Sequence, residues 1–93
     1  MNYWKFFLLK VRNDGWHTEI DLNENDSVEI IRIKENKIIK LKEFFKNNKK
    51  YFPYFGGSCE TLLLNCKIMH GRRVLFENNQ VKPIFTLEDI KMD

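Results

Sequence analysis

The chain predicts a mainly α fold: a small bundle of about four helices, with an irregular or short β-hairpin insertion near 17–36. Two observations carry this reading. Apolar residues recur at helical spacing over 3–13, 37–52 and 59–73. Between those stretches lie stop and start signals of the kind that end one helix and open another. With 93 residues, 43% of them hydrophobic and eight of them Phe, the chain can bury one modest core. It is therefore read as a single domain over 1–93.

The first helix covers 3–13. Trp4, Phe7, Leu8 and Val11 share one face, while Phe6 and Leu9 sit elsewhere and give the helix apolar surface on two sides. Asn13-Asp14-Gly15 stops it, and Trp16 follows at once. Residues 17–27 are polar and read as a loop. The β-branched run Val28-Glu29-Ile30-Ile31-Arg32-Ile33 suits a strand, with Lys34 to Lys37 as a turn and Ile38-Ile39 as its return. A helix through the same region is the rival reading.

The next helix is expected over 37–52. Ile38, Leu41, Phe44, Phe45 and Phe52 line one side, Lys42, Lys46 and Lys50 the other, and Pro53 bars continuation. Tyr54-Phe55-Gly56-Gly57 connects it to a helix over 59–73, with Gly56-Gly57 as a tight approach and Ser58 as N-cap. The segment from Asn78 to Pro83 reads as a loop. Thr86 with Asp89 three residues on fits a capping box, so a last helix is expected to start at Thr86.

The 59–73 helix has two apolar stripes. Cys59, Leu62, Leu63, Cys66 and Met69 make one; Leu64, Ile68 and, if the helix runs on, Leu75 make another, roughly opposite. A surface helix of a monomer shows one stripe, so this helix is either sandwiched in the core or meets a partner as well. Cys59 and Cys66 lie about 10 Å apart along such a helix, too far for a disulfide, and read as reduced thiols of an intracellular protein. Cys66 and His70 share a face at i, i+4, but the other strong ligand, His17, is far away in sequence. No metal is expected. No apolar run approaches a membrane span.

The net charge of +3 is mild and does not by itself call for nucleic acid. The series Lys34, Lys37, Lys40, Lys42, Lys46, Lys49 and Lys50 offers a salt-sensitive phosphate contact. Glu35 and Glu43 interrupt it, and no aromatic faces the same side at helical spacing, which is the pattern of a solvated face. There is no phosphate-binding loop, no apolar strand ending in Asp-Glu and no nucleophile–base set. No catalytic residue is assigned, and no activity is expected from this chain alone.

Taken in order, the Gly56-Gly57 entry to a helix, the basic stretch His70-Gly71-Arg72-Arg73 and the Thr86-Leu87-Glu88-Asp89 restart resemble the C-terminal helical lid of AAA+ ATPases. The likeness is greatest to the stage V sporulation protein K and CbxX-like ATPases, giant-virus versions included. A first helix closing on Gly15-Trp16 matches the first lid helix of that group. The resemblance covers most of the chain and implies that it is a fragment of a larger ATPase. A lid of this kind covers ATP bound by a separate P-loop subdomain. It couples hydrolysis to movement between subunits of a ring, usually a hexamer.

ATP and Mg²⁺ would then be cofactors of the parent ATPase, with none bound by this chain alone. Gly56, Gly57 and Ser58 would lie beside the adenine and ribose. Many relatives place an Arg at this helix start to sense the γ-phosphate, and Gly57, Ser58 and Cys59 supply none. Leu64, Ile68 and Arg72 are the expected subunit-interface residues, while Arg73 is read as favouring the C-terminal dipole of its helix. The competing class is a free-standing basic interaction module, binding nucleic acid or inhibiting a partner protein through its lysine face.

Overall fold

Among the described residues, three helices and one very short parallel sheet form around a core in which the first helix is central. The computed structural model describes residues 2–53, 55–77 and 82–91. In chain order these hold α1 (Tyr3–Asn13), β1 (His17–Thr18), α2 (Val28–Asn47), a 3-10 turn (Lys49–Tyr51), α3 (Phe55–Glu77) and β2 (Ile84–Phe85). The fold is mainly α, as the periodicity predicts, with three α-helices rather than four among the described residues.

Helix α1 has the predicted bounds, and its end shows why. Gly15 has φ 84°, a left-handed conformation that favours glycine. Gly15 N–H donates to the Arg12 carbonyl and Trp16 N–H to the Val11 carbonyl, both at 3.0 Å. These are the two bonds of a Schellman motif, which satisfies carbonyls the helix end leaves open. Trp16 is thereby turned back toward the core.

Both α2 and α3 pack against α1. Phe7 and Val11 of α1 are fully buried against Leu41 and Phe45 of α2 and Cys59, Leu62, Leu63 and Cys66 of α3. At the N-terminal end of α1, Tyr3 lies 6.2 Å from Phe45 and 5.7 Å from Phe52 between ring centroids, and its hydroxyl donates to the Phe52 carbonyl at 2.8 Å. At the C-terminal end, Trp16 stacks on Phe85 at 4.3 Å and meets the edge of His70 at 4.9 Å. Two aromatic clusters thus fix the two ends of one helix.

The hairpin expected from the β-branched run does not form. Residues 28–36 are the first half of α2, which begins at Val28 rather than 37 and ends at Asn47. Local capping and tertiary pairing override the β preference of Val28, Ile30 and Ile31. The Ser27 hydroxyl accepts from Ile30 N–H at 3.2 Å as N-cap, and Glu29 favours the positive end of the helix dipole. Lys34 then reaches back to Asp26 at 2.7 Å and Lys37 to Glu19 at 3.0 Å, binding the helix to the preceding loop. The Lys34 hydrogen bond holds the Asp26 carboxyl below its ordinary pKa. The irregular part of the predicted insertion is confined to the stretch before Ser27.

The last expected helix is a single turn. Thr86 N–H donates to Asp89 Oδ2 at 3.0 Å, which is one half of the predicted capping box. The other half is missing: Thr86 Oγ1 is buried without a partner among the described residues. Asp89 is fully buried and bound to Arg73 of α3, whose Nε meets Oδ1 and whose second nitrogen meets Oδ2, both at 3.1 Å. Arg73 also donates to the Ile84 carbonyl at 3.1 Å. It lies well inside α3, which runs on to Glu77, so it serves this long-range pair rather than the dipole of a helix end. The pairing sets β2 beside β1 in parallel, with His17 opposite Ile84 and Thr18 opposite Phe85. Of the predicted loop from Asn78 to Pro83, residues 78–81 lie outside the described residues.

Asp89→Ala leaves a half-buried guanidinium and the Thr86 N–H unpaired. It is expected to cost about 3 kcal/mol of stability, read as a lowered urea midpoint. Gly15→Ala meets open space, so its expected loss of about 1–2 kcal/mol comes from backbone strain alone. An unchanged urea midpoint in Gly15→Ala would contradict the Schellman ending of α1.

Candidate functional site

Helix α3 carries every residue that the lid resemblance assigns to a binding role, and the structure divides them into two places. The helix starts at Phe55, ahead of the predicted start at Cys59. Gly56, Gly57 and Ser58 therefore lie within its first turns and not in a tight turn before it, and Ser58 is not the N-cap. Gly15 is the one glycine with positive φ among the described residues, so the special backbone expected at Gly56-Gly57 is absent. Continuation of the helix through Gly57 is supported by Thr61, whose hydroxyl donates to the Gly57 carbonyl at 3.3 Å. Gly57 is exposed, and a Cβ placed on it meets nothing within 4 Å.

The inner face of α3 is the predicted stripe without Met69, which is only partly buried. Cys59, Leu62, Leu63 and Cys66 are buried, and His70 continues their line. Burial pushes the Cys66 thiol up to about 12, with the nearby Asp89 charge adding to the effect, and burial raises Cys59 as well. Both thiols are protonated near neutral pH and are poor nucleophiles. His70 Nε2 donates to the Lys82 carbonyl at 2.7 Å; a carbonyl only accepts, so this nitrogen carries the proton. No three His, Cys, Asp or Glu side chains come together as a metal site among the described residues.

The outer face is the second stripe. Leu64 is 58% exposed, Ile68 46% and Leu75 80%, with Phe76 at 90% beside them. Arg72 is exposed along the same side and touches Met69 Sδ at 3.9 Å. Of the two readings of a doubly striped helix, the sandwiched one fails, because nothing in the described structure covers this face. Leu9 of α1, 57% exposed, extends the apolar surface onto the neighbouring helix. Between the two helices runs an open groove of ≈ 390 Å³, floored by Leu63 and Leu64. The ion pairs Lys10–Glu60 at 3.0 Å and Lys67–Asp14 at 2.6 Å tie its two walls together.

Sequence reasoning missed two features near this site. The extension of α3 to Glu77 exposes Phe76, and its signal was the unbroken Val74-Leu75-Phe76 run after the two arginines. The Arg73–Asp89 pair had no local signal, because its partners are 16 residues apart. No helix among the described residues is long and apolar enough to cross a membrane.

No protein-family model matches the chain, and no solved structure matches it. It is similar to a cfxQ-like protein of Acanthamoeba polyphaga mimivirus, 33% identical over 88 residues that cover 94% of this chain. The chain spans 18% of that protein's length. It is thus the counterpart of one segment of a larger CbxX/CfxQ-like protein.

Gly57→Ala separates a helical glycine from a strained one. With a helical φ and open space at Cβ, the substitution is expected to raise stability by about 0.4–1 kcal/mol, measured by urea unfolding. A loss of stability would contradict the helical placement of Gly57.

Proposed function

We propose that the chain is the C-terminal lid subdomain of an AAA+ ATPase. It covers ATP and Mg²⁺ held by a separate P-loop subdomain and couples hydrolysis to movement between subunits of a ring. The observation that carries this reading is the outer face of α3. Leu64, Ile68, Leu75 and Phe76 form an apolar row along a helix whose other face is already in the core. Large exposed patches of this kind mark interaction surfaces. A lid has such a surface by necessity, since it packs on the subdomain it covers and on the next subunit. Similarity to one segment of a much longer cfxQ-like protein supports the same assignment, because the remainder of such a protein has room for a nucleotide-binding subdomain.

In this reading Leu64, Ile68 and Arg72 face the neighbouring subunit or the P-loop subdomain. Gly56, Gly57 and Ser58 open α3 beside the base and ribose. The N-terminal turns of a helix offer unpaired N–H groups and partial positive charge, and an exposed Gly57 leaves the backbone approachable. The lid itself contributes no phosphate-binding loop, so the chemistry belongs to the partner subdomain.

Ile68→Glu tests the face. With Ile68 half exposed, the variant is expected to stay folded, with a stability change within about 0.5 kcal/mol, and to lower self-association in sedimentation velocity. A collapsed melting curve would mean that Ile68 is core, and unchanged association would mean that the row is not an interface. The same chain should bind ATP only weakly by calorimetry; a tight complex would overturn the lid assignment.

A further inference from the structure

We infer that the end of the molecule where α1 begins and α2 ends is a binding face for single-stranded nucleic acid. This rests on observations independent of the lid reading. The first is how the basic residues divide. Lys10, Lys34, Lys37, Lys67 and Arg73 each form an ion pair at 3.1 Å or less with an acid. Arg32, Lys40, Arg72, Lys82 and Lys91 have no such partner among the described residues and are spread along the chain, whereas Lys5, Lys42, Lys46, Lys49 and Lys50, equally without one, form a grouped unpaired set.

The second observation is where the unpaired set lies. Residues 2–13 contain no Asp or Glu, and neither do residues 44–53. Contact between Tyr3 and Phe52 brings these two acid-free stretches together. Lys42 and Lys46 lie one turn apart on α2, and Lys49 and Lys50 follow in the 3-10 turn. Glu43 is the nearest acid in sequence and is set about 100° around the helix from Lys42.

The third observation is the aromatic that the lysine helix lacks on its own. Trp4 of α1 supplies it: the Lys42 ammonium sits 4.9 Å and the Lys5 ammonium 5.4 Å from its ring. Tyr51, 44% exposed, lies under Lys50 at 5.1 Å. Rings set among ammonium groups suit a strand that carries both bases and phosphates. An acidic peptide would use the charges and leave the rings idle. A lipid surface calls for exposed Leu or Phe in the patch, and the most exposed of these, Leu75 and Phe76, lie on α3 instead. Duplex DNA hides the base faces that stacking needs. Lysine point charges without an arginine fork give phosphate contact with little base selectivity.

The test is fluorescence anisotropy of the full 93-residue chain with a labelled oligo(dT) of about 20 nucleotides, longer than one compact binding site. If four lysines each neutralise a phosphate, affinity should fall roughly 50-fold between about 50 and about 200 mM salt. Lys42→Glu with Lys46→Glu should weaken binding at least about tenfold at the lower salt. Lys82→Glu with Lys91→Glu makes the same change in net charge at exposed positions elsewhere and should have little effect. Circular dichroism checks that each variant is folded; if the charge reversals unfold the chain, Lys42→Gln with Lys46→Gln replaces them. In a Trp16→Phe background, the Trp4 emission should change as oligo(dT) is added. Equal losses in both double variants would reduce the effect to net charge and overturn the proposal. So would absence of binding by the unmodified chain, or binding of polyglutamate or anionic vesicles but not of oligo(dT).

Discussion

The guanidinium of Arg73 holds the last described segment of the chain to everything before it. It meets both oxygens of the buried Asp89 and the Ile84 carbonyl, while Asp89 also accepts from Thr86 N–H. Two charges removed from water on this scale are tolerated only when their hydrogen-bonding capacity is filled, and here it is filled by backbone as well as by each other. That geometry seats Phe85 on Trp16 and Ile90 in the core. Trp16 is in turn aimed by the Schellman ending of α1, so one ion pair and one glycine together fix the C-terminal end of the bundle.

The opposite end is held differently. Tyr3, Phe7, Phe44, Phe45 and Phe52 build an aromatic cluster, in which the Tyr3 hydroxyl also donates to the Phe52 carbonyl. The polar network at one end specifies a register, and the aromatic cluster at the other supplies buried area. Helix α1 spans both, which is why its two flanks could be apolar. One flank is spent on α2 and α3, and Leu9 is left outside. On α3 the same division is sharper, since its inner residues are core and its outer residues are not.

What could be read from the sequence follows from how local each determinant is. Helix α1 was legible because its face repeats at 3.6 residues and Asn13-Asp14-Gly15 ends it within three positions. The buried stripe of α3 and the exposed second stripe were legible for the same reason. The first part of α2 was misread because Val28 to Ile33 favours extended structure by type, whereas the Ser27 cap and the Lys34 and Lys37 pairs decide otherwise. Thr86 to Asp89 looked like a helix start because its local half is one; Asp89 is claimed by Arg73, and no short window contains both. The basic face shows the same limit, since lysines of α2 meet the indole of α1 only across a helix interface. The Gly56-Gly57 corner was misplaced because Gly pairs occur both before helices and in their first turns.

The parallel strands join parts of the chain far apart in sequence; Glu19 and Leu87, next to the two strands, are bonded across 68 positions. Closing so long a loop costs conformational entropy before any contact rewards it, and two-residue strands return little. Helix α1, its Schellman ending and the aromatic cluster at its start need only local contacts or those between packed helices. The sheet is therefore expected to form after the helices have docked. In the native state the order runs backwards. The His17 and Glu19 amides, bonded across the sheet to the Pro83 and Phe85 carbonyls, are expected to exchange before those in the buried middle turns of α1.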